Sequence, residues 1–320
     1  MAKNLSLPLA LALAATLTTA SGVAAEPIKI TISYSQKVPD MLPLEVASAA
    51  GYFTKHGVDV TLQYLPSEQG IPALLTGQVQ MAAIGGSDAV SAEAAGAKLT
   101  FVLTLSPVET FQFWARPQFA KPAALKGQTV GVTSATGSLY AATLLALKEL
   151  GLAPTDVALT PLGSVINVNN ALLAGSIAAA ASHPPATYQF QTHGYIDLVD
   201  LPKKRIPSIS DGLLATDPYL RANPKIIQAV VDAVMDGLRR EKSDKAYAES
   251  VMSKAYGVKD PKILDFTYDF YVGEVLAPGP LPEIAQLEEN RAAMKQTNPK
   301  VSSVDVAAMI DQSFVKTAQP

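Results

Sequence analysis

Hydrophobic and polar positions along the chain fall into short alternating runs and longer runs with helical spacing. "PIKITISYS" alternates and is rich in β-branched residues, which predicts a strand. In "LPLEVASAAGYFTKHGVDVTLQYL" an apolar helix face ends at Gly51 to Gly57, and a second strand, Val58 to Tyr64, begins. A loop with Ser67 and Gly70, a short helix through Leu75 and the strand "VQMAAIGG" follow. A β-α-β-α-β order of this kind predicts a mostly parallel sheet covered by helices.

The order then recurs. "TVGVTS" reads as a strand, "LYAATLLALKELGL" as a helix, "DVALTPL" as a strand, "VINVNNALLAGS" as a helix and "IAAAASH" as a strand. The letters repeat as well: "ALLTGQVQMAA" (Ala73 to Ala83) lines up with "ALLAGSIAAAA" (Ala171 to Ala181), and "AAGYFTKHGVDVTL" with "ALKELGLAPTDVAL". Two similar open α/β lobes are expected, with mixed, mostly parallel sheets joined by two crossover strands. The outward passage is placed near Phe113 to Lys121 and the return near Leu201 to Ser210, after which "DGLLATDPYL" supplies a strand for the first lobe. The expected boundaries are residues 1–25 for a signal peptide, 26–116 for the first part of lobe 1, 117–206 for lobe 2 and 207–320 for the return to lobe 1 with packing helices. Those helices are "NPKIIQAVVDAVMDGLRREK", "AYAESVMSKAYG", "DPKILDFTYDFYVGEV" and "LPEIAQLEENRAAM", each starting near Asn, Asp or Pro.

The N-terminus changes the picture. One cation, Lys3, precedes an apolar run from Leu5 to Leu17 and the small-residue stretch "TTASGVAAEP", the layout of a secretory signal cleaved after Ala25. Cysteine is absent from the whole chain, so disulfides, thiolate metal sites, cysteine nucleophiles and a lipid-anchoring cysteine are all excluded. The expected location is therefore the periplasm, without a lipid anchor. The balance of 25 basic and 28 acidic residues has no basic block, which argues against nucleic acid as a partner. The three histidines are dispersed and lack nearby carboxylate pairs, so neither a metal site nor a cofactor is expected.

"AAGYFTKHGVDVTL", "PALLTGQVQMAAIGG", "LKGQTVGVTSATGSLYAATLLALKELGL" and "LATDPYLRANPKIIQAVVDAV", in this order, resemble the substrate-binding proteins of ABC importers. The branch is the one that includes binders of nitrate, taurine, alkanesulfonates and thiamine-pyrimidine precursors. The resemblance spans nearly all of the mature chain. It implies the type II periplasmic binding protein fold, hinge closure over a small-molecule solute and an ABC transporter membrane permease as partner. A monomer is expected. An enzymatic relative in this family forms a pyrimidine through cysteine- and histidine-bearing motifs, which a chain without cysteine does not match.

The candidate contacts lie at the carboxyl ends of strands, where open sheets bind ligands. In the second lobe these are Ser134, Thr136, Gly137 and Ser138, at the start of a helix with no acidic residue in its first turn. Amides at such a helix start favour an anion. The same residues also suit an ordinary cap. In the first lobe the candidates are Tyr34, Ser35 and Gln36, and Gly86 and Ser87 beside Gly85, with Asp88 assigned to capping the next helix. His183 ends the strand "IAAAASH" facing the cleft, with a locally satisfied histidine as the alternative. The resulting expectation is a non-catalytic solute receptor for a small organic anion, a sulfonate or carboxylate. The alternatives are a neutral heterocycle such as a thiamine pyrimidine precursor, or a sensory receptor.

Overall fold

The computed structural model describes Met1 and residues 26–276, 279–295 and 298–318. The expected signal segment, apart from Met1, lies outside the described residues. Ten strands run in chain order: β1 (Ile28–Tyr34), β2 (Val58–Tyr64), β3 (Met81–Ile84), β4 (Leu99–Val108), β5 (Gln112–Ala115), β6 (Thr129–Val132), β7 (Ala158–Pro161), β8 (Ala179–Ser182), β9 (Ile196–Asp200) and β10 (Pro207–Thr216).

They form two five-stranded sheets of order β2-β1-β3-β10-β4 and β7-β6-β8-β5-β9. In the first, β1 pairs in parallel with β2 and β3, while β10 is antiparallel to β3 and β4. In the second, β6 is parallel to β7 and β8, while β5 is antiparallel to β8 and β9. Each sheet thus has a parallel half built from β-α-β units and an antiparallel half built where the chain crosses between lobes.

The outward crossing occurs at residues 109–111, earlier than the sequence suggests. Strand β5, set in the first lobe by the boundary at residue 116, belongs to the second sheet. The physical cause is β4, which no alternation marks because it is buried along its whole length. It carries the chain to the rim of the first sheet, and three residues then suffice to enter the second. The return crossing lies between Asp200 and Pro207, in the expected region.

Helices cover both sheets. Helix Ser138–Glu149 presses Leu139, Ala142, Ala146 and Leu147 onto Val130, Val132 and Ala179 of the second sheet. Helix Pro224–Ser243 lays Ile227, Val230, Val231 and Val234 against Ile32, Met81 and Leu213 of the first. Helix Ile284–Met294 buries Leu287 and Met294 in the core that runs through the crossing. Among the described residues no helix is long and apolar enough to cross a membrane.

Candidate functional site

A cavity of about 740 Å³ lies between the two sheets. It opens at the carboxyl ends of β1, β6 and β8, where the parallel halves of both sheets deliver their loops. Ser35, Gln36, Ser134, Gly137, Ser138 and His183 all border it. The sequence expectation thus brings six residues from both lobes to one place.

Four others lie off the cavity. Tyr34 packs its ring on Tyr64, with centroids 5.8 Å apart, and Tyr64 takes the position at the wall. Gly86 and Ser87 face helix Ile284–Met294 instead of a solute. A Cβ on Gly86 would come within 2.9 Å of Leu287 Cδ2, and Asn290 Nδ2 donates to the buried Ser87 Oγ at 3.4 Å. The glycine here admits a helix. Thr136 is exposed, and its carbonyl accepts the Ser134 hydroxyl at 2.6 Å. The Ser134–Thr136 turn is therefore satisfied within itself.

The start of helix Ser138–Glu149 is also occupied. Asp88, from the first lobe, stands against the Gly137–Ser138 helix start, where the Ser138 amide and the Ser67 hydroxyl favour its charged form. It does not cap its own helix, Gly86–Ala94, whose N-cap is Gly85 without a side-chain bond. Gly137, at φ 90°, makes room for this approach, because a Cβ there would stand 2.7 Å from Asp88 Oδ1. The Ser138 hydroxyl donates to the Ser210 carbonyl of β10 at 3.4 Å, a second link between lobes. Burial pushes Asp88 up to about 7, with Glu68 nearby adding to the effect and the bonds from Ser67 and Ser138 opposing it.

Three tyrosines border the cavity from three parts of the chain: Tyr64 at the end of β2, Tyr188 in helix Ala186–Thr192, and Tyr256 at the end of helix Lys245–Tyr256. Tyr188 is braced edge-on by Phe266, with centroids 5.4 Å apart. The segment Tyr256–Lys259 forms a third wall that belongs to neither sheet. Nothing in its letters marks it, since its apolar spacing reads as packing. Asn169 and Asp88 are likewise missing from the sequence expectation. Asn169 sits on the helix after β7, where its Oδ1 accepts from Ser182 at 2.8 Å. Among the described residues the cations at the cavity are Lys37 and Lys259, and no arginine borders it. Trp114 is buried against Phe190, with centroids 6.0 Å apart, away from the cavity.

His183 is 2% exposed, and its Nδ1 lies 3.1 Å from the Pro184 carbonyl. Its ring packs 5.0 Å from Phe111 and 6.2 Å from Tyr271. Burial holds it below the ordinary histidine range, opposed by the charge of Asp40. Behind it, Asp40 accepts from Ser106, and Asp211 accepts from Gln36 Nε2 at 3.2 Å. Among the described residues no cluster of histidine, cysteine and carboxylate side chains could hold a metal ion.

The family model described as "NMT1/THI5 like" matches residues 38–243, a stretch holding most of both sheets and most of the cavity wall. The chain belongs to the NMT1/THI5-like family. A riboflavin-binding protein, RibY, of Chloroflexus aurantiacus is 25% identical to this NMT1/THI5-like chain over 218 residues, covering 66% of the chain and 61% of that relative's length. The periplasmic aliphatic sulphonate binding protein SsuA of Escherichia coli superposes with a TM-score of 0.71 at 22% identity, over 89% of this chain and 97% of the other. A desulfurization enzyme, DSZB, superposes with a TM-score of 0.61 at 19% identity, over 90% and 98%. The fold of this family member is thus that of periplasmic binding proteins, and it is shared by binders and by an enzyme.

Proposed function

We propose that the protein is the periplasmic solute-binding component of an ABC importer, and that its solute is an uncharged aromatic ring compound. The solute-binding role is supported by the family and by the two-lobed cleft. Export rests on the signal layout from Lys3 to Ala25. A non-catalytic role is favoured because the hydroxyls of Ser134 and Ser138 donate to carbonyls, those of Thr136 and Ser210. Neither contacts a base that would activate it.

The observation that carries the ligand class is the carboxylate of Asp88 at the start of helix Ser138–Glu149. The expectation of an organic anion rested on those amides being available. With Asp88 standing against that helix start, a sulfonate or carboxylate brought to the same place finds no free helix end. The neutral heterocycle is the reading we favour, since the aromatic side chains of Tyr64, Tyr188 and Tyr256 border the cavity from three parts of the chain.

A thermal-shift panel tests this: taurine and longer alkanesulfonates, nitrate, aromatic carboxylates, aminopyrimidines and riboflavin against the chain from Glu26. A true ligand at about a hundred times its dissociation constant adds ~2.7 kcal/mol. Stabilisation by rings and not by sulfonates is the expected pattern. A sulfonate as the strongest hit would restore the anion reading, and turnover of any hit would overturn the binder reading.

A further inference from the structure

Besides the two crossings, one later segment of the chain touches both lobes. Helix Pro261–Tyr268 continues directly into a π-helix, Asp269–Val275. Tyr268 and Val272, four residues apart, are buried with Leu42 and Val46 of helix Leu42–Ala49, which follows β1, and Leu264 packs on the same cluster one turn earlier. Phe270, Tyr271 and Val275 close on Val108 at the end of β4. One side of the segment is thus fixed to the first lobe by apolar burial.

The other side meets the second lobe. Phe266 packs edge-on against Tyr188 of helix Ala186–Thr192, with ring centroids 5.4 Å apart. Five residues later Tyr271 packs edge-on against His183 at 6.2 Å, and its hydroxyl donates to the Pro184 carbonyl at 3.1 Å. His183 and Tyr188 are also five residues apart, so the two stretches run antiparallel, ring against ring. An α-helix turns residues five apart to different faces, whereas π-turns, bonded from i to i+5, bring them back to one side. At the end of the π-helix the Glu274 carbonyl, beyond the reach of any later helical amide, accepts from Arg205 of the return crossing.

The two attachments differ in kind. Toward the first lobe the segment contributes buried residues to a continuous apolar cluster. Toward the second it offers two ring pairs and one hydrogen bond, and Tyr188 and Phe266 are only half-buried. The second attachment is the one that yields when the lobes part.

We infer that Pro261–Val275 is a strap, carried by the first lobe and latched onto residues 183–188 of the second, and that this latch must release before the cleft opens. Ile263 on the strap and Tyr188 opposite both border the cavity, so the latch lies beside the site it guards. The crossings permit hinge motion, and the strap sets how far the open arrangement is populated. Nothing in the latch depends on which solute is bound.

The chain has no cysteine, so a pair can be introduced without competing thiols. Gln69 and Gln191 are exposed, lie in opposite lobes and stay off the cavity wall. Spin labels on Gln69→Cys/Gln191→Cys, in the chain from Glu26 and without solute, report the separation of the lobes by double electron–electron resonance. Phe266→Ala, which removes one ring pair, is expected to raise the more widely separated population roughly 2- to 12-fold. Tyr271→Phe, which keeps its ring and removes the bond to Pro184, is expected to move the distribution in the same direction. Phe266→Tyr, which keeps the ring, is expected to match the parent. Urea unfolding checks that each variant is folded, and Tyr271→Phe carries the test should Phe266→Ala fail that check.

An unchanged distribution in the folded strap variants overturns the strap and leaves the solute-binding reading standing. A wider population that rises equally in Phe266→Tyr overturns it as well, since the ring contact then plays no part. Silence of every solute in the thermal-shift panel bears on the solute-binding reading alone, because the distances are measured without solute.

Discussion

Asp88 is under two opposing influences. The Ser138 amide and the Ser67 hydroxyl favour its charged form, while burial and Glu68 favour the neutral one, and the second pair prevails, at about 7. The folded chain therefore holds a proton over a range in which the unfolded chain, titrating near 3.9, has released it. Stability gained from the protonated group is complete below about pH 4 and is lost as pH rises through 7. Asn mimics the protonated acid and keeps an oxygen for the Ser138 amide. Asp88→Asn is expected to be more stable than the parent at pH 8 and close to it at pH 4, read by urea unfolding at both values. A difference that is the same at both values contradicts the account. The residue also shows where sequence reading stops. An acid two residues after a Gly-Gly pair reads as a cap, and its real partner, the Ser138 amide, is fifty positions away in the chain.

Helices settle by close approach, and Gly237 in helix Pro224–Ser243 is the clearest case. A Cβ there would stand 2.5 Å from the Pro43 carbonyl and 3.1 Å from the Ala47 amide of helix Leu42–Ala49. Helix propensity alone says that Gly237→Ala gains about 1 kcal/mol. Contact with rigid backbone reverses the sign, and a loss of roughly 1–3 kcal/mol is expected in denaturant titrations. One residue earlier, Asp236 anchors helix Tyr52–Lys55 by accepting from Lys55 at 2.7 Å and His56 at 2.9 Å, with Arg239 at 2.6 Å from its own helix. Burial alone would raise this acid, but the three donors outweigh it and hold it well below the usual range. A depressed carboxyl stabilises the fold above its unfolded value near 4 and loses that contribution as pH falls below it. The deficit of Asp236→Asn relative to the parent is accordingly expected to be full at pH 7 and to shrink between pH 4 and 3. His56 is part of this anchor.

Element order was legible because most strands and helices announce themselves by period, and the late helices begin within a few residues of their expected starts. Strand β4 was not, since burial on both faces leaves no alternation to read, and with it went the place of the outward crossing. The third wall of the cavity was hidden for a similar reason. Tyr256–Lys259 is an ordinary helix end by its letters, and only the packing of helix Lys245–Tyr256 brings it to the cleft.

At the scale of the whole molecule the repeat in the letters becomes two sheets joined only through residues 109–111 and 201–206, with the cleft between them. A pair of segments this short permits hinge motion. Contacts between the lobes at the cleft include the approach of Asp88 to the Gly137–Ser138 helix start and the bond from the Ser138 hydroxyl to the Ser210 carbonyl. The fold was readable because each half specifies its own strands. The inner site was not, because it exists only where the halves meet. If those contacts stabilise the closed arrangement, removing the carboxylate shifts the population toward open molecules, and solute affinity falls by the same fraction. Asp88→Ala is therefore expected to show a larger radius of gyration than the parent in small-angle scattering without solute. With a saturating solute the two proteins are expected to converge, the solute supplying the link that the variant lacks. Equal radii in both conditions would place the closing force elsewhere, in the apolar core that continues through the crossing from Ile84 and Phe101 to Phe113 and Val130.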